Sequence, residues 1–168
     1  MRTRNKILIA VGAVFVIVVI ALNFSSVDPG KRISTVKTFA SPKEAFFSQV
    51  AAAAVPVSRD LGLVRIDGTN AVYVAETERG EVVAAGMWVR DGKYFYSGSF
   101  VVASADVLRS GEGSDEADAF LYGEDGKCTG SLRFALTAKK PAGGNAEPVY
   151  GAETGTVYLV WTAEPRKS

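Results

Sequence analysis

Ser34-Thr35-Val36-Lys37 is the string in this chain whose residue types and spacing come closest to a catalytic motif. A lysine three residues after a serine can take the hydroxyl proton and leave a nucleophile, the chemistry of S-x-x-K. That chemistry also needs S-D-N and K-T-G elements, with a helix to align the two side chains. Neither element occurs, and the β-branched Thr35 and Val36 do not favour a helix, so the string is read as coincidence. The chain has no histidine, which removes serine–histidine and cysteine–histidine catalysis, histidine-ligated zinc and the commonest general base. Cys128 is the single cysteine, so thiolate-rich metal sites and disulfides within the chain are out. No catalytic residue, no metal site and no cofactor is expected.

Two other groups have the composition of a site. Glu112, Asp115, Glu116 and Asp118 cluster, with Glu124 and Asp125 not far behind. Calcium takes six to eight oxygens, but the spacing departs from the EF-hand pattern, and a solvated acidic loop is the reading preferred. Trp88, Tyr94, Phe95 and Tyr96 crowd one hairpin. Trp88 and Phe95 fall on one face, and Tyr94, Tyr96 and Phe100 on the other. A sheet with one covered face needs only one of these for its core. Tyr94, Tyr96 and Phe100 are therefore the candidate ligand-binding residues, for a peptide or a glycan. The simpler reading is that later strands cover them.

The elements that carry these residues are legible from period and punctuation. Ser41-Pro42-Lys43-Glu44 starts a helix: serine caps, proline fits the first position, and Glu44 can close a capping box. Phe46, Val50 and Ala54 continue at helical spacing until Pro56, which predicts one amphipathic helix at about 42–54. From Leu61 the period is two. Runs at Leu61–Ile66, Ala71–Ala75, Val82–Arg90 and Lys93–Ala103 are separated by turn residues. Asp91-Gly92 suits a type I′ turn and sets a register in which Trp88 faces Phe95 and Met87 faces Tyr96. Ser104–Asp118 reads as a surface loop. Ala119–Tyr122, Lys127–Ala138, Val149-Tyr150 and Thr156–Ala163 complete the sheet. Within the second of these, Cys128, Leu132, Phe134 and Leu136 share a face, which makes Cys128 a core cysteine.

Arg2, Arg4 and Lys6 precede an apolar run from Ile7 to Leu22, closed by Asn23 and Phe24. Eighteen residues at about 1.5 Å each reach about 27 Å, enough for a hydrocarbon core. The exit has no small-residue pair for signal cleavage, so residues 7–24 are read as a retained anchor. The basic cluster keeps residues 1–6 cytoplasmic. Residues 25–38 form a linker, 39–164 an extracytoplasmic domain and 165–168 a polar tail. Asn23-Phe24-Ser25 matches a glycosylation sequon but lies at the membrane edge. Beyond the anchor, 16 basic residues stand against 18 acidic ones, no footprint for nucleic acid. The size fits one domain.

Thr38-Phe39-Ala40-Ser41-Pro42-Lys43-Glu44-Ala45, followed by a strand ending Gly86-Met87-Trp88-Val89, resembles uncharacterised single-span extracytoplasmic proteins of Gram-positive bacteria. In these an S-P-x-E-A helix start precedes a small tryptophan-containing meander. The resemblance covers about half the outer domain and implies no activity. A helix on a curved sheet behind one span also looks like cystatin-like or NTF2-like envelope domains. The expected fold is therefore α+β: one N-terminal transmembrane helix, then one amphipathic helix on an antiparallel meander of about seven strands. The expected role is a membrane-tethered, non-enzymatic domain that binds envelope proteins. The alternative is a peptide- or glycan-binding module using the aromatic hairpin.

Overall fold

After Pro56 the chain is rich in valine, alanine and aromatics at period two, and strand follows strand. The computed structural model describes residues 37–52, 54–151 and 155–166. It contains β1 (Val57–Arg65), β2 (Asn70–Thr77), β3 (Val82–Arg90), β4 (Lys93–Ala103), β5 (Ala117–Tyr122), β6 (Cys128–Thr137), β7 (Asn145–Gly151) and β8 (Gly155–Pro165). All neighbours pair antiparallel in the order β1-β2-β3-β4-β5-β6-β8-β7. The sheet curls until β7 comes close to β1, without a ladder joining them. The result is a nearly closed barrel.

The alternation fixes which residues fill it. Val72, Val74, Val82, Ala84, Val101, Leu132, Phe134, Leu136, Val157 and Leu159 are buried together inside. Trp88, Phe95 and Tyr122 close one end, with the partly buried Cys128 against them. We call this the turn end, because the Asp91-Gly92 turn and the β1–β2 and β5–β6 connections lie there. The opposite end is closed by a one-and-a-half-turn helix, α2 (Ala105–Ser110), whose Leu108 enters the interior cluster. Ser104 caps α2 through Val107 N–H, and Gly111 ends it in the left-handed conformation at φ 78°.

A sheet can curl this far only where its strands approach closely. β4 and β5 share the single ladder pair Gly98–Ala119. A Cβ on Gly98 would lie 2.4 Å from Ala119 Cα and 2.6 Å from the Asp118 carbonyl oxygen. One on Gly86 would meet the Ala119 methyl at 2.3 Å. Gly86, Gly98 and Ala119 thus form a corner that tolerates no larger side chain. Two irregularities mark the outermost strands. The β1 register shifts between Val57 and Arg59 and again between Asp60 and Gly62, where Gly62 has φ 130°. β7 carries Pro148, which has no N–H to donate.

The expected α+β layering is corrected here. A helix was to cover the sheet, but α1 (Pro42–Phe47) has six residues rather than the thirteen of 42–54. Ser41 caps it as expected, its hydroxyl accepting from Glu44 N–H at 3.1 Å. Phe46, Val50 and Val55 are buried while Ala51 and Ala54 are exposed, so a longer helix would cover nothing more. The curled sheet supplies its own second layer, and β2 and β3 are buried on both faces almost throughout. The fold is mainly β, with eight strands instead of about seven. Neither the cystatin-like nor the NTF2-like expectation applies, since among the described residues no long helix lies on the sheet. The stretch 104–118, read as a loop, contains α2 and a bridge from Gly113 to Thr137. Among the described residues no helix is long and apolar enough to cross a membrane. The anchor reading of 7–24 and most of the 25–38 linker lie outside the described residues.

Candidate functional site

The turn end is where the chain gathers its unusual polar and aromatic residues. Asp67 organises the β1–β2 turn by accepting from Thr69 N–H at 2.8 Å and Asn70 N–H at 2.7 Å. Asn70, only 2% exposed, then reaches across to β5. Its amide NH₂ donates to the Tyr122 carbonyl at 2.9 Å, and its side-chain oxygen accepts from Tyr122 N–H at 2.9 Å. Tyr122 needs this partner because the β5–β6 register shifts between Leu121 and Tyr122. A side-chain amide thus substitutes for a strand. Thr69 adds its hydroxyl to the same carbonyl at 2.6 Å. Asn70→Ala removes both amide bonds to the Tyr122 backbone and leaves Thr69 on its carbonyl, and we expect it to lower the unfolding free energy by about 1–3 kcal/mol. A shift below about 1 kcal/mol in urea denaturation would show that water replaces the amide.

Two open depressions flank Tyr94 and Phe39. The first, of about 450 Å³, is lined by Arg65, Thr69, Arg90, Asp91, Tyr94 and Glu124, among others. Arg90 donates to the Glu124 carbonyl and sits 3.4 Å from the Asp91 carboxylate. The second, of about 680 Å³, lies between Lys37, Phe39, Glu44, Phe47, Ser48 and Gln49. Between them Phe39 and Tyr94 exchange backbone hydrogen bonds, each at 2.9 Å, which fastens the start of the domain to β4. Lys37 lies over the Phe39 ring at 5.2 Å, and Lys43 over the Phe47 ring at 6.0 Å.

The sequence-derived candidates fall at this end or beside it. Asp91 has φ 50° and Gly92 φ 69°, as a type I′ turn requires, and Trp88 pairs with Phe95 and Met87 with Tyr96 as the register reading has it. Tyr94, Tyr96 and Phe100 do share the outer face of β4. Phe46 of α1 occupies that face, 6.3 Å from the Tyr96 ring and 5.5 Å from the Phe100 ring. Tyr96 is 3% exposed, while Tyr94 and Phe100 keep partial exposure. Burial pushes the Tyr96 phenol above its usual range. Tyr73, on the same face, is raised by burial and by its hydrogen bond to Asp60 at 2.5 Å. Both phenols stay neutral at physiological pH.

Of the acidic cluster, Glu112, Asp115 and Glu116 sit toward the other end of the barrel and Asp118 partway along it, while Glu124 and Asp125 lie at the turn end. Glu116 and Asp118 both approach Arg133, at 3.5 and 3.2 Å, while Glu112 and Asp115 face solvent. Among the described residues no group of three or more histidine, cysteine or carboxylate side chains is placed to hold a metal ion. Lys37 of the S-x-x-K string covers an aromatic ring, and Ser34 lies outside the described residues. Cys128 joins the Trp88 cluster half-buried, its Sγ 3.5 Å from the Gly130 carbonyl. Sequence reasoning missed Asn70. The available signal was Asp67-Gly68-Thr69-Asn70, a turn-forming string whose last residue enters an apolar strand. No protein-family model, curated protein or solved structure matches this chain.

Proposed function

We propose that this chain is a membrane-tethered, non-enzymatic domain held outside the cell, where it binds other proteins of the envelope. The observation that carries the reading is the uncharged run from Ile7 to Leu22 behind three basic residues, a short linker away from the Phe39–Tyr94 bridge. The described surface sets what such partners would meet. Val102, at 38%, is its one exposed large hydrophobic side chain, so partners would meet mostly polar groups. Such contacts are individually weak, and tethering compensates by raising the effective concentration of partners in the same membrane. The competing reading, a peptide or glycan on Tyr94, Tyr96 and Phe100, has less support because Phe46 already occupies their face.

Membrane fractionation with protease treatment from outside, followed by cross-linking in intact cells, tests the proposal. The full-length chain should resist carbonate extraction, lose its domain to external protease and cross-link to envelope proteins. A freely soluble chain, or one without cross-linked neighbours, would overturn it.

A further inference from the structure

Resting on the tethered reading, we propose that the turn end of the barrel faces the bilayer and that Lys37, Lys43, Arg65 and Lys93 engage anionic lipid headgroups. The geometry begins with the entry point. The described chain starts at Lys37, and the Phe39–Tyr94 bridge pins it to β4 two residues from Gly92. Twelve linker residues, 25–36, separate this point from the apolar run and span at most about 40 Å when extended. The chain coming from the apolar run therefore enters the domain at the turn end and not at the α2 end.

Charge supports the same orientation. Among the described residues, Lys37, Lys43, Arg65 and Lys93 have no carboxylate partner; Arg79, Lys139 and Lys140 at the α2 end have none either, but that end also carries Glu78, Glu81, Asp106, Glu112, Asp115 and Glu116. The acidic groups of the turn end are largely engaged: Asp67 in its turn, Asp91 with Arg90, and Asp125 with Lys127 at 3.1 Å. Glu44, whose backbone N–H Ser41 caps, and Glu124 face the depressions together with the Arg90-paired Asp91. Glu112, Asp115 and Glu116 lie toward the far end, more than a screening length from such a surface, and Asp118, partway along the barrel, is paired with Arg133 at 3.2 Å. Chemistry at the rim fits as well. Phe39, Phe47 and Tyr94 are partly exposed beside the lysines, and aromatic rings with flanking ammonium groups suit the headgroup layer.

The test uses the full chain in nanodiscs of phosphatidylcholine alone and in nanodiscs containing phosphatidylglycerol, read by hydrogen–deuterium exchange. Slower exchange in residues 37–50 and 91–95 is expected only in the anionic discs, with the 111–116 loop unchanged. Raising salt should remove the protection. Neutralising Lys37, Lys43 and Lys93 to glutamine should also remove it, each change weakening headgroup contact roughly fivefold. Equal exchange in both discs, or protection at the 111–116 loop, would overturn the proposal while leaving the tether intact. A chain that fails to enter either disc would overturn the tether and the proposal together.

Discussion

Phe46→Ala is expected to lower the unfolding free energy by about 3–5 kcal/mol, the upper range for removing a buried aromatic ring. Phe46 is fully buried, with the rings of Phe47 and Phe100 at 5.5 Å, Tyr73 at 6.2 Å and Tyr96 at 6.3 Å. The loss would not be confined to one cavity. A six-residue helix has too few internal hydrogen bonds to persist alone, and Phe46 is the side chain that roots α1 in the sheet. Detaching it would expose Tyr96 and Tyr73 as well. Urea denaturation gives the energy, and near-ultraviolet circular dichroism reports the loosened tyrosines. Phe46→Leu, which refills much of the volume, should cost about half as much. A loss under 1 kcal/mol for the alanine variant would mean that α1 is not what covers this face.

Gly98→Val should be at least as severe, costing about 3 kcal/mol or more, for the opposite reason: too much volume instead of too little. The obstacles at 2.4 and 2.6 Å are backbone atoms of β5, which cannot rotate aside as a side chain would. Relief requires parting β4 from β5 at their one ladder pair, which opens the corner on which the barrel's curl depends. Gly68→Ala is the natural control, because nothing lies within 4 Å of its added carbon. It should stay within about 0.5 kcal/mol of the parent. Equal stability of the two variants would refute the corner as described.

How much of this was legible beforehand depends on the range over which each feature is determined. The Asp91-Gly92 turn is a two-residue decision, so its type and the Trp88–Phe95 register follow from the string itself. The Ser41 cap is similarly local. Alternation shows that Tyr94 and Tyr96 share a face, but it cannot show whether a helix, a second layer of strands or a ligand covers it. The number of layers was misjudged for this reason. The helix-length error has the same root: Ala51 and Ala54 extend the apolar spacing without having anything to pack against. The Asn70–Tyr122 link joins residues 52 apart through a register shift in β5. No local pattern encodes such a partner. Gly86 and Gly98, both inside apolar strands, were the visible trace of the corner.

The two irregular outer strands decide how this domain can meet its neighbours. An open sheet normally invites another chain to add a strand, the route both to peptide capture and to fibrous aggregation. Here β1 is kinked twice and carries Arg59 and Asp60 between its register shifts, and β7 breaks its row of donors at Pro148. Neither margin offers a continuous main-chain template. A partner meeting either margin would have to be recognised through side chains, and copies of the domain are kept from zipping together through their backbones.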